Sequence, residues 1–414
     1  MKLPSFEHRA VPIVLMAVTI DVIGFGIVMP VLPGLVTHLA KVDLASATRI
    51  AGWMLAVFAI AQFFAGPVIG NLGDRFGRRP VLVATMTAFC IDYFLMAWAP
   101  TIGWLFVGRA VAGLAGASFG PASAVIADVT PPEKRAATFG MLGAAFGIGF
   151  IIGPALGGLV AGFGLRAPFI VAAVLAGINA LLMMFLLPET LAQENRRRFR
   201  LRDAHIVGAF KPLFEAGNAT PLLVAWFLWQ LGGIVYPAVW AFWGAIRFNW
   251  DAQAIGLSLV WVGLLSVIVQ GMLTQRFVKA IGERTTALIA LAMGAANLIA
   301  LAFVTAGWQV YALFLAGCLG QMAWPALNGL LSRMVDETRQ GALQGGIGSM
   351  NSVAQIIGPL IAAQSLAWGV RQGFDGTAFL VAGGLIGLAA AIVALRTPRF
   401  PHTTDNPQPA TESA

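Results

Sequence analysis

The sequence predicts an all-α membrane protein: twelve transmembrane helices in two pseudo-symmetric six-helix halves. Three observations predict it. The first is composition: 58% of the 414 residues are hydrophobic and 11% are charged, where a soluble domain carries about 25% charge. The second is length. Twelve apolar segments, each about 20 residues or more and so able to span a bilayer, can be drawn at 11–37, 50–71, 80–99, 102–127, 136–162, 167–187, 221–246, 254–275, 285–304, 308–332, 341–368 and 376–395. The third is the placement of basic residues. An even number of spans puts both termini on one side, and 20 of the 26 Lys and Arg residues lie there. Lys41, Arg49, Arg166, Arg247 and Arg371 lie opposite, and Arg109 falls within a segment. That bias marks the first side as cytoplasmic and predicts a multi-pass membrane protein with both termini there. The net charge of +8 therefore reflects topology and does not point to a nucleic-acid partner.

In chain order, the first segment carries Asp21 about 15 Å deep, at 1.5 Å per residue, among Gly24, Gly26, Pro30 and Pro33. It lacks a cleavage site of the A-x-A kind and is long for a leader, so it is expected to remain as a helix. The second and third segments are joined by GNLGDRFGRRPVL, residues 70–82. This reads as a tight charged hairpin at a membrane surface, turned at Gly73 and Gly77, with Pro80 in the first turn of the next helix. Asp74 is placed to accept hydrogen bonds from a neighbouring helix N-terminus, and the arginines to face anionic lipid or carboxylates. The third segment carries Asp92 and the fourth Arg109. With Asp21 these are the three ionisable residues deep in apolar segments. A charge at that depth is costly, and the default reading is functional; the alternative is a structural ion pair between helices.

The fifth segment holds Gly140, Gly149, Gly153, Pro154, Gly157 and Gly158. Glycines four apart let helices approach closely, and Pro154 permits a bend. A basic stretch, RRRFRLR at 196–202, lies in a linker expected over 191–218, between halves at 1–190 and 219–398. It reads as that linker, with an amphipathic lipid-binding segment as the alternative. The second half repeats the first weakly at an offset of 205: Gly282, Glu283 and Arg284 follow Gly77, Arg78 and Arg79, and Gly358-Pro359 follows Gly153-Pro154, while Lys279 stands where an equivalent of Asp74 would fall. A site between two such halves, near mid-membrane, is the arrangement expected of transporters. Its cavity is predicted from Gln230, Tyr236, Trp240, Gln270, Trp324, Asn328, Asn351 and Gln355, because stacking surfaces with sparse amides suit a large, partly apolar ligand. A polar tail, 399–414, is expected to be disordered.

Other chemistry is not supported. Gly116-Ala117-Ser118-Phe119-Gly120 has the spacing of a hydrolase nucleophile elbow but lies inside a helix instead of at a strand–turn–helix, and the four histidines, His8, His38, His205 and His402, all lie outside the membrane core. No metalloprotease or phosphate-loop motif occurs, so no metal or cofactor is expected. Cys90 and Cys318 give no disulfide framework.

The hairpin resembles the loop signature of the major facilitator superfamily, matching at Gly70, Leu72, Asp74, Arg75, Gly77, Arg78, Arg79 and Leu82. Arg109 and Gly113 match the fourth-helix signature of drug/proton antiporters, and the fifth-segment glycines resemble the motif that marks exporters. Similarity runs from about residue 11 to 398 and is close to the tetracycline/proton antiporters, carried also by MPVLP, IADVT, GALQG and IGPL. The resemblance implies the major facilitator fold and proton-driven efflux of tetracycline-like or other amphipathic drugs, with Asp21, Asp92 and Arg109 in coupling, Asp74, Arg75, Arg78 and Asp128 as a cytoplasmic gate cluster, and Gln270 in the path. The family's eighth-helix histidine is Ser266 here, and its ninth-helix aspartate is Gly294, so a metal–tetracycline chelate is expected to be less favoured. The partners implied are a small-molecule drug, protons and lipid, and a monomer is expected. A solute importer of the same family and a non-transporting intramembrane sensor or enzyme are the alternatives.

Overall fold

The computed structural model describes residues 8–116, 119–196, 219–335 and 340–397. Ser118, most of the basic linker and the tail lie outside the described residues. Among those described, every regular element is helical. Eleven helices are long and apolar enough to cross a membrane. One of them, Ala252–Leu301, has 50 residues, about 75 Å at 1.5 Å per residue, enough to cross a hydrocarbon core of about 30 Å twice. It breaks at Gly282, whose φ of 78° and ψ of 164° are not helical. The membrane-spanning helices are therefore twelve.

In the first half they are α1 (Ala10–Ala40), α2 (Leu44–Phe76), α3 (Arg78–Trp98), α4 (Ile102–Ala115 and Phe119–Val129), α5 (Pro132–Val160) and α6 (Ala167–Leu186). In the second they are α7 (Thr220–Phe248), α8 and α9 (252–281 and 283–301), α10 (Gly307–Arg333), α11 (Gln340–Arg371) and α12 (Thr377–Arg396). Asp43 and Asp251 cap α2 and α8, their carboxylates accepting the Ser46 and Ala254 N–H groups, as N-cap acids do.

The hairpin is tighter than the sequence suggests. Helix α2 continues through Asp74 and Arg75 to Phe76, and α3 begins at Arg78. Gly77 alone makes the turn, at φ 106°, a conformation open to glycine, while Gly73 is helical and buried. Apolarity marks where a helix leaves the bilayer, not where its backbone hydrogen bonding stops, so the charged residues join helix ends.

The halves meet at α5 with α8 and at α2 with α11. Both seams are glycine-lined. A methyl group at Gly256 of α8 would lie 2.5 Å from the Pro154 carbonyl oxygen of α5. One at Gly52 of α2 would lie 3.0 Å from that of Pro359 in α11. Pro154 and Pro359 are related by the 205-residue repeat, so one joint occurs twice. Both joints are at the end away from the basic loops. Toward the basic end, a methyl at Gly140 or Gly147 of α5, Gly70 of α2, Gly271 of α8 or Gly348 of α11 would meet nothing within 4 Å. Among the described residues, the tight glycine contacts between the halves lie at the end away from the basic loops.

Candidate functional site

Among the described residues, the first half buries the charged pair of Asp92 and Arg109. Arg109 of α4 donates from Nη2 to Asp92 Oδ2 of α3 at 2.8 Å, and Nη2 also lies 2.8 Å from Met96 Sδ. Asp92 is fully buried and Arg109 nearly so. The Arg109 guanidinium stands 5.9 Å from the centre of the Phe58 ring, a cation–π contact. Gly108 makes room for the carboxylate: a methyl there would lie 2.5 Å from Asp92 Oδ1. Asp92 Oδ1 and Arg109 Nε make no hydrogen bond within the protein. The pair is thus held by one close contact. Asp21 lies on α1, half-buried, in the wall of a narrow cavity with Leu82, Met86, Ala122 and Met183. Nearby, buried Asn179 of α6 donates to the Ala17 carbonyl at 2.9 Å.

At the basic end Arg78 holds Asp74 at 2.7 Å through Nη1 and Asp128, at the end of α4, at 3.2 Å through Nε. Arg75 stands apart, exposed, over the Phe76 ring at 4.9 Å. The N-terminus of α3 is capped from outside the hairpin. Glu189, just past α6, accepts the N–H groups of Arg78 (2.9 Å) and Arg79 (3.3 Å), and also those of Thr190 and Leu191. Asp74 sits on the helix before the turn, with its carboxylate drawn to Arg78; Glu189 reaches the exposed amides from beside them. Arg79 donates to the Met184 carbonyl of α6, so four helices, α2, α3, α4 and α6, are tied here. The second half repeats the arrangement with its signs exchanged. Glu283 and Arg333, at the repeat positions of Arg78 and Asp128, pair at 2.6 Å.

The fifth-helix glycines form two contact faces. Methyls at Gly149, Gly153 and Gly157 would lie 2.7, 2.8 and 2.3 Å from Val22, Gly26 or Ile23, and Ile27 of α1. One at Gly158 would lie 2.9 Å from the Ala252 carbonyl oxygen of α8. A methyl at Gly140, toward the basic end, would meet nothing within 4 Å.

A cavity of about 240 Å³ lies chiefly within the second half, where Met29 of α1 and Phe150 of α5 complete it. Tyr236 and Trp240 line it, with Trp229, Pro237, Gly294, Asn297, Phe314 and Gln321. Tyr236 and Trp240 both face Phe314, with ring centres 6.1 and 5.3 Å away. Gln270 sits in a π-helical turn, Val269–Leu273, and donates to Gln321; Gln321 donates in turn to Ser266. Ser266, Gln321 and Gln270 thus form a hydroxyl–amide chain. The other predicted cavity residues are not in this wall. Asn351 accepts from Trp226 and Asn328 from Gln344, joining α7 to α11 and α10 to α11. Gln355 and Trp324 are exposed, and Gln230 is half-buried on α7. A second, smaller chamber of about 40 Å³ is lined by Arg109 and Tyr93 and shares Met29 and Pro237 with the first. Asn297, Gln321 and Glu189 were not singled out by sequence. Adding 205 to Asp92 would have found Asn297. Among the described residues no three His, Cys, Asp or Glu side chains form a metal-binding group.

The model of the Major Facilitator Superfamily matches residues 14–359 and 232–414. The chain is 40% identical to the class C tetracycline resistance protein of Escherichia coli over 92% of its own length and 95% of that protein. It is 27% identical to multidrug resistance protein 2 of Bacillus subtilis, covering 87% and 90%. Among solved structures, the nucleoside transporter NupG aligns at TM-score 0.76 with 16% identity, over 95% of this chain and all of that one. A D-xylose–proton symporter aligns at 0.74 and 17%, over 95% and 98%.

Proposed function

The chain belongs to the major facilitator superfamily of membrane transporters, and from that premise we propose that it exports tetracycline-like or other amphipathic drugs across the inner membrane in exchange for protons. Its relatives named for tetracycline resistance support this reading over almost their whole lengths. The observation that carries it is the partition at Met29 and Pro237. A buried ion pair lies on one side and an aromatic cavity on the other, each chamber touching both shared residues.

A proton added to Asp92 removes the charge that holds Arg109. The freed guanidinium then moves within its chamber, shifting the wall it shares with the cavity. Proton and drug so act on one equilibrium between two arrangements of the halves, and linkage makes the effect reciprocal. Asp21 serves as a second proton carrier on α1, the helix that packs directly on the α5 joint. The tight contacts at the opposite end support reading the described form as the one that takes drug from the cytoplasm. The Arg78–Asp74–Asp128 cluster at that end holds the α2–α3 hairpin in the geometry that closure requires. The transporter works as a monomer of two halves, 1–190 and 219–398, joined by a basic linker.

The test is transport into inverted membrane vesicles. A proton gradient, acid inside, should drive tetracycline accumulation, and collapsing it with an uncoupler should release the drug. Accumulation indifferent to the uncoupler, or drug movement with the protons instead of against them, would refute the antiport reading.

A further inference from the structure

The cavity of the second half presents chemistry of its own. Asn297 is 6% exposed, and its Oδ1 makes no hydrogen bond within the protein. Its Nδ2 donates to the Tyr236 hydroxyl at 3.1 Å, which fixes the amide so that the free acceptor is Oδ1. Gly317 leaves it space, since a methyl there would lie 2.3 Å from that oxygen. A buried acceptor without a donor is costly, and here it borders an open cavity. The walls beside it are the rings of Tyr236, Trp240, Phe314 and Trp229. None of the lining residues carries a carboxylate or an amine, so the walls offer no charge to a metal ion. Hard cations bind through carboxylate and carbonyl oxygens in number, and here the amide oxygens are those of Asn297 and Gln321.

Repeat geometry sharpens the contrast. Asn297 and Phe314 stand at the repeat positions of Asp92 and Arg109, each 205 residues on. One half uses the position for a charged pair, the other for a neutral amide and a ring facing a cavity.

We infer that this cavity binds a planar aromatic molecule free of metal, stacked among Tyr236, Trp240 and Phe314, with an O–H or N–H donor on Asn297 Oδ1. Asn297 is then the residue that selects for a donor. The inference rests on the export reading and deepens it by naming the class of ligand.

The test is quenching of tryptophan fluorescence in the detergent-purified full chain, with tetracycline and ethidium as probes, in EDTA and in magnesium. At least one probe should bind in EDTA, and magnesium should change its affinity less than twofold. Asn297→Leu should weaken that binding by roughly tenfold, the scale of one buried hydrogen bond. Gly317→Ala, which pushes a methyl into the amide's place, should do the same. Binding seen solely with magnesium overturns the inference, as does failure of both probes to bind in EDTA. So does unchanged affinity in both variants. The EDTA comparison needs no variant, so a misfolded Asn297→Leu protein leaves the test standing. Export and ligand class fail separately. Proton-driven uptake that requires magnesium keeps the first and removes the second; metal-free binding without uptake does the reverse.

Discussion

Replacing Asp92 by Asn strips the charge from one side of a contact 2.8 Å long and leaves the Arg109 guanidinium buried. At an effective dielectric constant of about 20 the direct attraction across that distance is about 6 kcal/mol. Desolvation of both ions offsets much of it. The cost of breaking such a pair from one side is therefore about 3–5 kcal/mol, most of it from the orphaned partner. Removing both charges avoids that penalty, so Asp92→Asn/Arg109→Gln should lie within about 1 kcal/mol of the parent protein. Thermal unfolding in detergent measures the three stabilities, and inverted vesicles measure their transport. The single variant should unfold well below the parent and the double should recover, while neither accumulates tetracycline on a proton gradient. A single variant as stable as the parent would refute the burial argument. A double variant that transports normally would refute the role of the pair in coupling.

Three further outcomes follow from the geometry. Arg78→Glu and Asp128→Arg should each reduce efflux severalfold, and together should restore much of it by adopting the polarity of Glu283–Arg333; a drug-susceptibility assay decides, and a double variant worse than either single refutes it. Gly256→Val places a side chain 2.5 Å from the Pro154 carbonyl and should wedge this contact apart, so that a cysteine replacing Ala252 reacts faster with an impermeant maleimide from outside; an unchanged rate counts against the seam. Glu189→Ala removes the acceptor from the first amides of α3 and should cost about 1 kcal/mol of thermal stability, the scale of a lost helix cap, with a shift too small to measure refuting the capping role.

The twelve spans were legible because a bilayer imposes length and apolarity on every crossing. Helix ends were not, since α2 carries Asp74 and Arg75 past the apolar run. The buried pair was legible as two charges in apolar segments, and the structure adds that Arg109 is bonded to Asp92. Cavity residues were harder. In a membrane protein the lipid-facing and core-facing sides of a helix are both apolar, so polarity reports helix phase poorly. Tyr236 and Trp240 stand in the wall of the described cavity, while Asn351 and Asn328 bond across helix pairs. Glu189 escaped because a single acid after a span looks like any loop residue until the amides beside it are seen.

The seam between the halves has a mechanical consequence. Where large side chains interlock, two packed helices cannot slide until knobs leave their holes, and the motion waits on repacking. At Gly158 and Gly256 backbone rests on backbone, and at Gly52 it rests on the Ala363 methyl and the Pro359 carbonyl. Such a contact can roll. In the transport reading proposed above, the twin joints at Pro154 and Pro359 would serve as the two bearings of a hinge, with the interior of each half left intact. The barrier to alternation is thereby moved away from the seam, onto the ion pairs and the cavity, where proton and drug can lower it.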